Sequence, residues 1–391
     1  MGRRFECRSG AVGAPRWAFL LAAAMLGACG GQTGQESSAP PSSAAPRTYA
    51  TGRGPTSVAI GDLNGDGKLD LANANFGSDT VSVLANRGDG SFHARRDYVT
   101  GDGPYSVAIG DLNSDGKPDL ATANGNASTV AVLLNRGNGS FQGKRDYATG
   151  TGPASVAIGD LNGDGKPDLA NANFGSDSLS VLVNRGDGSF RARRDYTTGR
   201  GPASVAIGDL NGDGKPDLAS TNFRADTVSV LANRGDGGFL AKLDHVTGDY
   251  PFSVAIGDLN RDGKPDLATA NVDASTVSVI LNRGDGSFEA KRSYATGDGP
   301  HSVAIGDLNG DGKPDLVAAN AVANTVSVLL NRGDGSVRGR LDYRTGDFPR
   351  SVAIGDLNGD GKPDLATANL KARTVSVLPF RPDSARVQNV N

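Results

Sequence analysis

The chain is poor in the residues that carry most active-site chemistry. Its 391 residues include two cysteines, two methionines, three histidines and one tryptophan. Cys7, Cys29 and Trp17 all fall before residue 30, so the rest of the chain has neither thiols nor indoles. A disulfide framework is thereby excluded for most of the molecule. His93, His245 and His301 share no spacing with one another, with a nucleophile or with carboxylates, so no histidine metal site or triad emerges. Surface positions are expected for all three. No G-x-S-x-G, no glycine-rich phosphate loop ahead of a helix and no basic patch occurs. The net charge of −3 argues against nucleic acid as a partner.

What is abundant is glycine and aspartate, at fixed intervals. The stretch Asp62–Asp70 reads D-L-N-G-D-G-K-L-D, and equivalents begin at Asp111, Asp160, Asp209, Asp258, Asp307 and Asp356, always 49 residues apart. Side-chain oxygens stand at positions 1, 3, 5 and 9 of each loop. The glycine at position 6 permits the positive-φ turn that folds them inward. The seven loops hold 21 of the 43 acidic residues, and the 56 glycines sit at turn positions rather than in a disordered tract.

This spacing is that of a calcium loop. Calcium takes six to eight oxygens in a flexible geometry, whereas magnesium demands a stricter octahedron. The expected ligands are Asp62, Asn64, Asp66, Lys68 and Asp70 in the first loop, each lysine acting through its carbonyl. They are Asp111, Asn113, Asp115, Lys117 and Asp119 in the second, and Asp160, Asn162, Asp164, Lys166 and Asp168 in the third. Asp209, Asn211, Asp213, Lys215 and Asp217 follow, then Asp258, Asn260, Asp262, Lys264 and Asp266. Asp307, Asn309, Asp311, Lys313 and Asp315 precede the last set, Asp356, Asn358, Asp360, Lys362 and Asp364. About one calcium per repeat is expected, with a structural role; a metal-free Asp/Asn-Gly turn is the alternative.

Around each loop the pattern is of short strands. In the second unit Ser106–Ile109, Leu120–Ala123, Val130–Leu134 and Phe141–Tyr147 read as strands A to D, with a hairpin over Asn135–Gly139. Nothing in the repeats has a helical period. The seventh unit stops at Val377-Leu378-Pro379-Phe380 without a strand D, while Arg47-Thr48-Tyr49-Ala50 matches the strand-D ending Arg145-Asp146-Tyr147-Ala148. That offset predicts a closed ring: an all-β, seven-bladed propeller of four-stranded blades, with an N-terminal strand completing the last blade.

Units of the form S-V-A-I-G-D-L-N-G-D-G-K-P-D-L plus N-R-G-D-G-S-F resemble FG-GAP/VCBS repeats over residues 47–380. The resemblance implies a propeller of the integrin α type. Leu69 in place of proline and Asn138 in place of aspartate are minor departures.

Ahead of the repeats, Arg3, Arg4, Arg8 and Arg16 precede the apolar run Trp17–Leu26, which is too short to span a bilayer and reads as a secretory signal. It ends Leu26-Gly27-Ala28-Cys29, which resembles the lipobox of bacterial lipoproteins. The resemblance implies a lipid on Cys29 and attachment to the membrane through it. Gly30 in the next position implies the outer membrane or cell surface of a bacterial envelope. A plain signal peptide is the alternative. The expected segments are a signal at 1–28, a lipidated cysteine and flexible tether at 29–46, the propeller at 47–380 and a tail at 381–391.

In such a ring the A–B loops and C–D hairpins share one face, and the B–C and D–A loops share the other. The first is nearly the same in every unit, whereas the second varies. Phe76, Tyr105, Phe174, Phe223, Tyr250, Phe252, Phe348 and Arg350 are the expected ligand-binding residues there, for a protein or a glycan. No catalytic residue is assigned, and a monomeric, non-enzymatic binding or adhesion module is the favoured reading. A polysaccharide lyase built on Arg350, Lys371 and Arg373, or a lectin, is the alternative. The recurring Arg87-Gly88-Asp89 tripeptide is an integrin-ligand motif in other settings, but here it occupies a tight hairpin and reads as a turn.

Overall fold

The computed structural model describes residues 46–380. The signal, Cys29, most of the tether and the tail 381–391 lie outside the described residues. The first strand, β1 (Arg47–Ala50), does not pair with the strands next to it in sequence. Blade 1 is β2 (Pro55–Gly61), β3 (Asp70–Asn75), β4 (Thr80–Leu84) and β5 (Arg96–Val99). Blade 2 is β6 (Pro104–Gly110), β7 (Asp119–Asn124), β8 (Thr129–Leu133) and β9 (Arg145–Ala148). Blade 3 is β10 (Pro153–Gly159), β11 (Asp168–Asn173), β12 (Ser178–Leu182) and β13 (Arg194–Thr197). Blade 4 is β14 (Pro202–Gly208), β15 (Asp217–Asn222), β16 (Thr227–Leu231) and β17 (Leu243–Val246). Blade 5 is β18 (Pro251–Gly257), β19 (Asp266–Asn271), β20 (Thr276–Ile280) and β21 (Arg292–Ala295). Blade 6 is β22 (Pro300–Gly306), β23 (Asp315–Asn320), β24 (Thr325–Asn331) and β25 (Val337–Arg344). Blade 7 is β26 (Pro349–Gly355), β27 (Asp364–Asn369) and β28 (Thr374–Pro379), completed by β1.

Every blade is an antiparallel meander. The second strand, of the form D-L-A-x-A-N, is buried along its whole length because neighbouring blades cover both of its faces. Its small side chains suit the narrow part of a radial wedge. The outermost strand is mostly exposed, and its sequence is correspondingly polar. Strand D is shorter than expected in blade 2, beginning at Arg145 instead of Phe141. The reason is that Phe141 makes only a lone bridge to Asn135 and turns its ring inward to fill the gap between blades 1 and 2.

The core is seven inter-blade clusters rather than one centre. Leu63, Ala74, Val81 and Val83 of blade 1 pack with Val107, Leu120, Leu133 and Phe141 of blade 2, and this arrangement repeats around the ring. The closing cluster joins Val58, Leu71, Leu84 and Phe92 of blade 1 to Leu357, Ala366, Val375 and Val377 of blade 7.

Polar contacts follow the same circle. Ser57 Oγ accepts from the Val107 amide, and the equivalent serine bonds recur between all successive inner strands until Ser351 accepts from Val58. Asn135 Nδ2 donates to the Leu63 carbonyl of the preceding blade at 2.8 Å, and Asn86 closes the series by donating to Leu357. The strand-D tyrosine is a packing residue with a hydrogen-bonding tip. Tyr98 donates to the Gly139 carbonyl of the next blade at 2.9 Å while its ring meets Phe141 edge-on. Tyr49 of β1 does the same for Gly90 and Phe92 of blade 1, so the offset strand joins the two ends of the chain.

Candidate functional site

The aspartate loops connect the first and second strands of every blade and lie on one face with the C–D hairpins. In the first loop Asp62 accepts from the Gly65 and Gly67 amides at 2.8 Å each. Gly67 adopts φ 80°, as this turn requires. Asn64 Oδ1 accepts from Asp66, and Asp66 Oδ1 from Lys68. Asp70 is fully buried, taking the Leu63 amide on one oxygen and the Asn86 amide of the hairpin on the other. The scheme returns in the other loops with two variations: Asp111 and Asp258 take the position-5 and position-6 amides, and Asp364 takes Asn358 Nδ2 where the others take a hairpin amide. Five expected ligand positions thus occupy one turn in each blade.

Burial raises the carboxyl of Asp70 to about 6 despite its amide donors, and the charges of Asp66 and Asp62 add to the rise. Asp119, Asp168, Asp266, Asp315 and Asp364 reach the same value for the same leading reason, and Asp217 is raised too. Among the described residues no three carboxylate, histidine or cysteine groups converge as a ready cation cage. In six loops the position-7 lysine instead reaches its position-5 aspartate, as Lys68 does to Asp66 at 3.5 Å. These exposed pairs neutralise little. The donor set, three carboxylates and an amide oxygen in a dense anionic turn, has the chemistry of a hard-cation site.

The hairpin carrying Arg87-Gly88-Asp89 packs beside the loop. Asp89 Oδ1 accepts from the Ser91 amide and hydroxyl, and a side chain at Gly88 would meet Lys68 at 3.0 Å. Both residues serve the turn.

On the opposite face the expected binding residues come together, but mostly buried against each other. Tyr105, Phe174, Phe223, Phe348 and Arg350 are buried, Phe76 and Phe252 are half-buried, and Tyr250 is 39% exposed. Phe174 stacks obliquely on Phe223, which meets both Tyr250 and Phe252. Phe252 continues to His301, and His301 to Phe348. Phe76 pairs with Tyr105 at 4.7 Å. The result is an aromatic belt that visits all seven blades.

A backbone irregularity aims these side chains. In every blade the inner strand begins Pro-x-Ser, and the register slips at x. The bulged residues are Thr56, Tyr105, Ala154, Ala203, Phe252, His301 and Arg350. A bulge re-aims its side chain. Here the Arg350 guanidinium, from blade 7, lies 4.9 Å from the Phe252 ring of blade 5 and 5.9 Å from the Tyr105 ring of blade 2. Neither blade adjoins blade 7, so the side chain reaches across the axis of the ring. Just before the bulge, five blades place a glycine with φ between 64° and 65°, as at Gly54 and Gly299, whereas Tyr250 and Phe348 hold that left-handed conformation at 55° and 62°.

The histidines differ from the expected surface positions. Only His93 is exposed. His245 replaces the strand-D tyrosine and packs on Phe288 at 4.7 Å. His301 is buried, with Nδ1 2.9 Å from the Gly299 carbonyl, and burial beside Arg350 lowers it to about 3. Its membership of the belt was legible only in its place after the proline. Of the remaining cations, Lys371 stands over Phe348 at 4.5 Å and Arg224 over Phe174 at 4.7 Å, while Arg373 belongs to the turn ahead of β28.

Sequence comparison with curated proteins returns no match. Among solved structures the chain is similar to BBS1N in its complex with ARL6, with TM-score 0.60 and 13% identity over 87% of this chain and 95% of that one. It is also similar to an Agrocybe aegerita lectin specific for non-reducing terminal N-acetylglucosamine, with TM-score 0.52 and 21% identity over 80% and 85% of the two chains. A protein of unknown function from Desulfotomaculum acetoxidans aligns with TM-score 0.59 and 12% identity over 81% and 93%. These likenesses concern the fold. The repeat itself is matched by the FG-GAP-like repeat model six times, at 62–122, 111–171, 162–220, 209–269, 258–318 and 307–367, each match bridging two successive aspartate loops. The chain therefore belongs to the FG-GAP-like repeat family.

Proposed function

We propose that this protein is a non-catalytic binding module of the bacterial envelope, held by a lipid on Cys29 and stiffened by calcium, with its ligand face on the B–C and D–A loops. The observation that carries the reading is the contrast between the two faces. One repeats the same turn seven times. The other gathers unlike aromatic and cationic side chains at the ring axis, and holds Tyr250 and Phe348 there in a left-handed conformation that disfavours them.

In the calcium sites the side chains at positions 1, 3, 5 and 9 and the position-7 carbonyl would hold the ion, as in Asp62, Asn64, Asp66, Asp70 and Lys68. The ion would neutralise the turn, replacing the weak lysine contacts and offsetting the burial and, secondarily, the neighbouring charges that raise Asp70.

A glycan ligand is favoured over a protein by Tyr250, the exposed member of the belt, because sugar rings stack on aromatic faces, and the similar Agrocybe lectin recognises a sugar. A glycan array probed with and without calcium, together with pull-down from envelope extracts, tests the reading. Retention of a glycan set that Tyr250→Ala abolishes is the expected result. An array and a pull-down both blank for a folded, calcium-loaded protein would overturn it, and turnover of a polyuronate in a lyase assay would replace it with the enzymatic alternative.

A further inference from the structure

Arg350 is the only cation at the seven bulged positions and is 6% exposed. Among the described residues no ion pair or hydrogen bond reaches its guanidinium; its neighbours are the ring faces of Phe252 and Tyr105. A buried cation without a counter-anion is strongly unfavourable, and contacts with ring faces return only part of the loss. We propose that Arg350 is the receptor for a single carboxylate, carried on the ring of an acidic sugar that enters the axial mouth from the B–C and D–A face. This rests on the ligand-face reading above and names the chemistry of what that face takes.

Charge selects the ligand. The Nδ1–H of His301 donates to the Gly299 carbonyl, and its burial keeps the ring neutral, so Arg350 is the one charged side chain among the seven bulged residues, while Lys371 and Arg224 lie over Phe348 and Phe174. One positive charge matches one carboxylate and leaves a phosphate dianion half-neutralised. The planar guanidinium fork fits the two carboxylate oxygens side by side. Around the rim, the D–A loops expose Asp102, Asp249, Asp298 and Asp347, with Arg53 and Arg200 at the equivalent position of two other blades. Those carboxylates repel a polyanion but accept hydrogen bonds from sugar hydroxyls. The combination suits a terminal uronate on an otherwise neutral glycan. Tyr250, exposed at the mouth and packed on Phe223 at 4.9 Å, offers the sugar ring a stacking face.

The test is calorimetric titration of the full-length chain in detergent with D-glucuronate, D-glucose and acetate. Glucuronate is expected to bind, and glucose and acetate to bind more weakly. Arg350→Thr gives blade 7 the residue blade 1 carries at Thr56, and is expected to weaken glucuronate about 10- to 100-fold. Arg350→Lys keeps the charge but not the fork and should weaken it too; thermal melts confirm that each variant is folded. Equal glucuronate affinity in wild type and Arg350→Thr, acetate binding as tight as glucuronate, or no heat from glucuronate with the folded wild type would each overturn the proposal. If glucuronate fails while neutral glycans bind on the array, the carboxylate assignment falls and the ligand face stands; if both fail, both fall.

Discussion

The guanidinium of Arg350 lies 4.9 Å from the ring of Phe252, although the two belong to blades that do not touch each other in the ring order. The contact spans the axis and marks the place where the otherwise repetitive molecule becomes asymmetric. It also makes the free protein's stability informative about its ligand.

Because Arg350 is buried without an anion, its removal should help the ligand-free protein. Arg350→Thr is expected to raise stability by about 1–2 kcal/mol, since relief of the desolvation outweighs the forfeited attraction to the ring faces. Urea unfolding at low ionic strength measures it. A clear loss of stability would mean that the guanidinium has a partner that offsets its burial.

His301 gives a pH dependence with a definite sign. Its folded value is about 3 against an ordinary 6.5, so between those limits the unfolded chain binds the additional proton. Its contribution is complete above about pH 6.5 and is lost as pH falls toward 3. The charged group facing it is Arg350, and Phe252 and Phe348 supply the rest of its wall. His301→Ala, the residue of blades 3 and 4, should flatten the fall in Tm below pH 6.5 relative to wild type. Parallel wild-type and variant curves would contradict this.

Calcium removal should be felt cooperatively. With an affinity of about 10⁻⁴–10⁻³ M, typical of extracellular modules, and calcium near about 2 mM, each loop would contribute roughly 0.7–1.8 kcal/mol. Seven independent loops would then contribute about 5–13 kcal/mol, comparable with the stability of a whole domain. Excess chelator is expected to lower Tm substantially, and readdition of calcium to restore it. A melting curve indifferent to both would remove calcium from the account.

Ring closure can be tested at β1. Deleting Arg47–Ala50 strips the outer edge of β28 and removes the Tyr49 contacts to Gly90 and Phe92. An exposed strand edge pairs with other chains. Light scattering should therefore show self-association, with a lower Tm, whereas Tyr98→Phe removes one hydrogen bond and should cost about 1 kcal/mol without association. A monomeric deletion variant of unchanged Tm would contradict the closing role of β1.

Much of this architecture was legible in the residues alone. The 49-residue period, the strand pattern within it and the misplaced terminal strand all depend on local chemistry. Glycine marks positive-φ turns, and β-branched and small residues mark strands buried on both faces. The match between Arg47–Ala50 and the other strand-D endings could be seen as text, and β1 pairs with β28 as that match requires. The aspartate turns were equally visible, since their hydrogen bonds run between residues a few positions apart. The long tie from Asp70 to the Asn86 amide was not, because it depends on how the hairpin folds back over the loop.

The sequence alone determined the number of blades, their strand order, the closure and the face on which variation gathers, because each follows from patterns within one repeat or from comparing repeats. Only the tertiary structure decided that Phe174, Phe223, His301 and Arg350 are buried rather than displayed. It also decided that Arg350 meets Phe252 and Tyr105, about 100 and about 245 positions away. Spacing along a chain tells which way a strand's side chains alternate. Convergence of seven bulged positions on one axis exists only once the ring has closed and set the distance across it.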